Sequence, residues 1–403
     1  MKPLTKTWLI ALAFFATPSV SVADDTTEMT IYGFAMLDMG YQSKSNDPDW
    51  YDVVRPTKLP VYKNEFGADG NYFASVRQSR LGIKATTPIN GEELRTIFEF
   101  ELFGVGSDAG ETTFRLRHAY GEYKQVGAGQ YWSVFMDPDV FPNSIEYWGP
   151  NGMVFFRNVQ LRYMPVSGKN SVAIGLEKPG SSGDPGVRVD DPLIPGIEGN
   201  NPLPDLTAHY RRNENWGHYQ VAGLLRYIEL DDFGTDPVDA SDSITGWGLN
   251  LSSNVKLNAD TLKLQFVFGE GIQNYMNDGS VDIGATAFGT LPVAEALPIT
   301  GLVVFYDRSW GERLTSTFGY SRVDIDNSDG QSTAAFRNGQ YALANLLHHP
   351  NKHITWGGEL QWAKRKNKAD GQVDPVIGEL IESFDDLRIQ FSFKYYFSKT
   401  IGG

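Results

Sequence analysis

The chain has 403 residues, no cysteine, and 49 Asp and Glu against 35 Lys and Arg, for a formal net charge of −14. The missing cysteines exclude a disulfide-stapled module, Cys-ligated metal or iron–sulfur sites and thiol nucleophiles. The acidic balance argues against a nucleic-acid binder, which carries a basic face. Beyond the first 23 positions no run of about 20 apolar residues exists, so no helix can span a membrane.

Residues 1–23 read as a secretory signal: Lys2 and Lys6, an apolar stretch over 8–16, and the small residues Ser21-Val22-Ala23 ahead of polar Asp24. Cleavage near Ala23 removes two lysines and no acid, and leaves one domain, 24–403. A signal without a second apolar span directs that domain to the periplasm, the outer membrane or the medium.

From residue 28 onward the apolar residues alternate with a period of two. Leu94, Thr96, Phe98, Phe100 and Leu102 share one face of 93–103, with Arg95, Ile97, Glu99 and Glu101 on the other. The segments 261–269 and 387–397 repeat the pattern. A helix would scatter these residues around its circumference, whereas a strand gathers them on one surface. Sixteen strands are expected, near 29–41, 72–86, 92–103, 111–124, 126–134, 153–165, 170–177, 205–212, 217–229, 244–255, 260–275, 299–308, 312–323, 337–348, 352–366 and 385–397. Short turns such as PING (88–91), SGKN (167–170), NENW (213–216), KLNA (256–259) and HPNK (349–352) separate them from long connections, including 42–71, 178–204, 276–298 and 367–384. This segregation predicts a transmembrane antiparallel up-and-down β-barrel of all-β class, with a loop folded into the lumen. Tyr120, Tyr163, Tyr210, Tyr227, Trp247, Trp356, Trp362, Tyr395 and Phe397 are expected in lipid-facing aromatic girdles. The alternation ends at Phe397, before 398–403.

One segment breaks the pattern. Residues 129–163, GQYWSVFMDPDVFPNSIEYWGPNGMVFFRNVQLRY, hold an aromatic-rich middle (135–152) with three prolines and no alternation. A free surface loop would be more polar, so this stretch is expected to pack inside the barrel. It resembles the DcaP-like porin family, in which GQ-x-W-S-x-F-M-D precedes GP-x-G and an arginine-bearing strand. SRLGIKATTP (79–88), LRTIFEFELFG (94–104) and FRLRHAYGEY (114–123) resemble the same family. The resemblance implies a homotrimeric sixteen-stranded porin of the Gram-negative outer membrane. Its 135–152 loop would constrict the lumen, and its solutes would be small anions such as dicarboxylates.

With the apolar faces toward lipid and lipopolysaccharide, the opposite faces predict a basic lumen. Arg80, Lys84, Arg95, Arg115, Arg117, Arg157, Arg162 and Arg211 are the expected pore-lining cations, joined by Arg226, Lys263, Arg313, Arg388 and Lys394. Inward acids are fewer: Asp38, Glu99, Glu101, Glu177 and Glu359. Asp137, Asp139 and Glu146 come from the 129–152 loop, and would set an acidic side opposite the arginines. Arg115 and Arg117, two apart, stand about 7 Å apart on one face. Arginine on a pore wall attracts anions and pairs both oxygens of a carboxylate. The alternative role of these arginines is to brace the barrel through Glu99, Glu101 and the loop acids. Most other acids fall in loops, with Asp231, Asp232, Asp236, Asp239 and Asp242 close together. No cofactor, metal site or catalytic constellation is expected. A hydrolytic barrel has only His209 as an inward candidate, without a serine partner. The remaining alternative is a secreted or surface β-sandwich for binding or adhesion.

Overall fold

A computed structural model describes residues 26–180, 197–232, 242–285, 294–368 and 381–402. The signal segment 1–23 lies outside these residues, as do the side chains of the 231–242 acids. Sixteen barrel strands run in chain order. They are β1 (Glu28–Gln42), β2 (in two pieces, Asn71–Ser75 and Arg80–Ile89), β3 (Glu92–Phe103), β4 (Thr112–Tyr123), β5 (Val126–Trp132), β6 (Arg157–Val166), β7 (Asn170–Glu177), β8 (Ile197–Asn200 and Asp205–Glu214), β9 (Gly217–Asp232), β10 (Asp242–Leu257), β11 (Asp260–Glu270), β12 (Pro298–Ser309), β13 (Leu314–Ile325), β14 (Phe336–Asn351), β15 (Ile354–Asn367) and β16 (Ser383–Ile401). Each pairs antiparallel with its neighbours, and β1 closes the barrel on β16, from Met29↔Ile401 to Gln42↔Arg388. A closed sheet with lipid-type residues outside displaces the sandwich alternative. The strand does not stop at Phe397: Ser398 to Ile401 continue the ladder against the first residues of β1.

Short turns gather at the end that carries both termini of the barrel. At Asn90-Gly91 both residues have positive φ, +54° and +81°, which is the twist a two-residue hairpin of type I′ needs. The long connections gather at the other end. Segment 72–86, expected as one strand, is interrupted at 76–79. There Arg77 turns inward, fully buried, and donates to Asp52 at 2.6 Å and to the carbonyls of Gly104 and Glu111. The interruption thus ties the first two long loops to the wall.

The inner wall is not basic all round. On β9 and β11–β15 the inward residues include Leu224, Val267, Ile299, Val303, Phe305, Val323, Ile325, Tyr341, Leu343 and Ala363. They form one apolar core with Phe135, Met136, Val140, Met153, Val154 and Phe156 of the aromatic-rich segment and with Tyr275 and Met276 of the connection after β11. Here both strand faces are apolar, so alternation marks the strand but hides the internal packing.

Candidate functional site: the inner wall and the segment packed on it

The site begins with a β-bulge. Glu99 of β3 faces His118 of β4, but the next residue, Phe100, faces Leu116, so Arg117 is the extra residue on β4. Gln130 meets the exposed backbone with its amide, donating to the carbonyls of Leu116 and Arg117, both at 3.1 Å. Toward the long loops from the bulge, Arg115 and Arg117 face inward. Toward the short turns the phase has flipped, and Tyr120 and Glu122 face inward instead. Tyr120 therefore leaves the expected lipid girdle: it is buried and stacks on Tyr131 with ring centroids 4.7 Å apart.

Four guanidiniums surround two carboxylates on this wall. Arg117 reaches Glu99 and Glu101, each at 2.7 Å. Arg80 stands 3.3 Å from Glu101 and 3.7 Å from Glu99. Arg115 and Arg157 lie 3.5 and 3.8 Å from Glu101. Tyr147 of the aromatic-rich segment completes the cluster, accepting from Arg115 at 3.0 Å and donating to Glu101. Its ring stacks on Phe103 at 3.9 Å. Arg115, Arg117 and Arg157 are buried, with the last two beside the Trp132 ring, while Arg80 keeps 24% of its side chain exposed. The other expected cations divide by position. Lys84 lies 4.9 Å from the Tyr32 ring. Arg95 is exposed and paired with Glu93 at 2.6 Å. Arg162 donates to Gln160 and to the Trp132 carbonyl. Lys84, Arg95, Tyr120, Glu122 and Tyr131 border an inner cavity of about 190 Å³ toward the short turns. Arg313 instead lies exposed at the short turn between β12 and β13.

The segment 133–156 is held along its length by inward-facing side chains. Asn250 donates to the Phe135 carbonyl (2.9 Å), Gln220 to Met136 (3.1 Å), Asn254 to Asp139 (2.8 Å) and Asn345 to Asn143 (2.8 Å). The Ile145 amide donates to Glu359 at 3.0 Å, and its carbonyl accepts from Gln78 and Gln390. On the return, a Cβ at Gly152 would sit 2.1 Å from the Arg322 carbonyl, so only glycine permits this approach to the wall. The first long loop adds Arg55, whose guanidinium packs against both the Trp50 and Trp148 rings, themselves edge to face, and pairs with Asp278 at 2.9 Å.

The loop acids do not form an open acidic side. Asp137 is buried and accepts from Ser252 at 2.6 Å, pairs with Arg211 at 3.2 Å, and stands 2.7 Å from His218. Glu146 is buried and accepts from the amides of Val54 and Gly149. These two therefore anchor the segment from behind, because a buried backbone amide or cation needs a partner more than a watery lumen needs a charge. Asp139 alone of the three is exposed, and it is bonded to Arg211. The wall acids behave alike: Glu177 accepts from Ser133 and Val134, and Asp38 from Gln78, Gln390 and Ser392. Tyr147, His218, Arg55–Asp278 and Asp52–Arg77 were not singled out from sequence. The aromatic density of 135–152 was the available signal for Tyr147, and the others had none.

Burial would raise the Asp137 carboxyl, but His218, Ser252 and Arg211 hold it below the ordinary range. Its contribution to stability is thus complete above the unfolded value, about 4, and is lost as pH falls through the lower folded value. Asp137→Asn is expected to weaken the anchor by about 3–5 kcal/mol, the usual result of removing one buried partner. Denaturant unfolding in detergent should show the loss at neutral pH, with the difference from wild type shrinking at the acid end.

The family model for the DcaP outer membrane protein matches residues 15–376. The chain belongs to the DcaP outer membrane protein family. Among solved structures, the outer membrane channel DcaP of Acinetobacter baumannii is similar at TM-score 0.74, with 22% identity over 92% of this chain and 97% of that one. An anion-selective porin from Comamonas acidovorans follows at TM-score 0.57, with 11% identity over 92% and 100%. The trimer form of OmpT from Vibrio cholerae has TM-score 0.54, with 11% identity over 92% and 99%. Comparison with curated proteins finds no sequence match. The family and these neighbours are channels rather than enzymes, and this DcaP-family chain is a porin-type barrel of the outer membrane.

Proposed function

We propose that this DcaP-family porin passes small anionic solutes, dicarboxylates among them, by passive diffusion. The observation that carries the reading is the excess of positive charge on the β2–β6 wall: four guanidiniums against two carboxylates. Charges held in a poorly solvated wall act on a passing ion with less screening than charges in water. The more accessible cations Lys84 and Arg162 extend the same sign along the lumen. The loop acids Asp137 and Asp139 are paired with Arg211, away from the four-guanidinium cluster. In this reading the 135–152 segment narrows the lumen and the protein assembles as a homotrimer. The trimer form of the Vibrio cholerae neighbour supports the assembly. The test is swelling of liposomes carrying the protein. A four-carbon dicarboxylate should enter faster than the four-carbon diamine of similar size, and equal or reversed rates would overturn the reading.

A further inference from the structure

Inside the barrel, at the seam where the first and last strands meet, β1 turns Phe34, Met36 and Asp38 inward. β16 sets Tyr396, Lys394 and Ser392 beside them in register. On the other side of β1, Arg80 of β2 faces Phe34. Two cations therefore lean on one ring. The Lys394 ammonium lies 3.9 Å from the Phe34 centroid, and the Arg80 guanidinium 5.3 Å. A second ring, Tyr396, lies 5.2 Å from the same ammonium and meets Phe34 edge to face at 5.8 Å.

The two cations differ in what balances them. Arg80 also stands 3.3 Å from Glu101 and 3.7 Å from Glu99, so it belongs to the guanidinium cluster as well. Lys394 has no carboxylate within ion-pair distance among the described residues. Asp38, one pleat step away on β1, is taken by Gln78, Gln390 and Ser392. An aromatic face attracts a cation but has no net charge, so it fixes the ammonium in place without neutralising it. Through Phe34 the two charges come closer than the screening length in 0.1 M salt, about 10 Å, and they repel. An anion between them removes that cost. On the long-loop side, Ile145 packs on Met36 and Leu347 with Phe34 against them, so the tip of the 133–156 segment covers the pair. Both side chains remain partly exposed.

We propose that Lys394 and Arg80 form a carboxylate-binding station on the short-turn side of the constriction, with Lys394 a specificity-determining residue of the pore. One carboxylate oxygen meets the ammonium and the other the guanidinium fork. The inference rests on the proposed passage of anions. Single channels of the full-length protein in potassium chloride, titrated with succinate, test it. Wild type should show a saturable block of the current by succinate and none by 1,4-butanediol, the uncharged compound of the same length. The half-blocking concentration should rise at least about fivefold in Lys394→Gln, and equally in Lys394→Met, which keeps an apolar stem against the rings. Lys394→Arg, which keeps the charge, should stay within about twofold of wild type. Lys169→Gln removes an exposed cation at a short turn, paired with Glu214 at 2.8 Å, and should leave the block unchanged. Absence of a saturable block in wild type, an unmoved half-blocking concentration in the Gln and Met variants, or an equal rise in Lys169→Gln would overturn the station. The reversal potential reports separately on anion passage. A cation-selective sign in wild type sinks that reading, whereas an anion-selective sign with an unmoved block sinks the station alone.

Discussion

Replacing Arg115 and Arg117 together by alanine is expected to lower the preference for anions sharply while the barrel still forms. The change leaves Arg80 and Arg157 against Glu99 and Glu101, so the excess of two positive charges on this wall becomes none. A unit charge about 8 Å from a passing ion is worth about 0.5–2 kcal/mol between the dielectric of water and that of a protein surface. Even after screening by salt, the anion-to-cation permeability ratio should fall by about threefold or more. Reversal potentials of wild type and variant check this. Glu312→Ala, exposed at the short turn between β12 and β13, is the control and should leave the ratio nearly unchanged. An equal effect from the control would mean that the arginine pair does not set the selectivity. The brace and the filter are one structure here. The arginines are tied to carboxylates, and the uncompensated remainder of their charge is what a solute meets.

Glu101→Gln is expected to act in the opposite sense on selectivity and to cost more stability. Glu101 is the point on which Arg80, Arg115, Arg117 and Arg157 converge, and it also accepts from Tyr147. A glutamine there leaves four guanidiniums with one carboxylate, an excess of three. Removing one partner from a buried ionic cluster costs about 3–5 kcal/mol, to be read from denaturant unfolding in detergent at neutral pH. The anion preference should rise where the arginine pair lowers it. Movement of both variants in one direction would contradict an electrostatic origin of selectivity.

Strand positions were readable because each barrel strand meets lipid on one face and protein or water on the other, which stamps a period of two on the sequence. Segments 92–103 and 170–177 fall where alternation places them. The reading fails where another constraint overrides the period. The bulge at Arg117 moves Tyr120 from the lipid side to the inner side, and one extra residue in a ladder leaves no signature in composition. The interruption at 76–79 is likewise invisible, although it aims Arg77 at Asp52. The sign of the wall charges could be read strand by strand, but their partners could not. Glu101 meets Arg80 and Arg117 on the two strands beside its own, and Arg157 three strands further on, through a register and a bulge that composition does not record. The loop acids were misplaced for a related reason. A carboxylate in a loop reads as solvated, yet Asp137 and Glu146 have buried donors from β8–β10 and from the first long loop. A net charge of −14 therefore misdirects unless it is resolved by face, because many of the acids serve as internal anchors.

The lumen is expected to favour anions although the total charge of the chain is negative. In a planar bilayer under a salt gradient, the purified protein should show a reversal potential of the sign set by anion permeation, diminished in the Arg115→Ala, Arg117→Ala variant. A reversal potential of the cation-selective sign in wild type would contradict it.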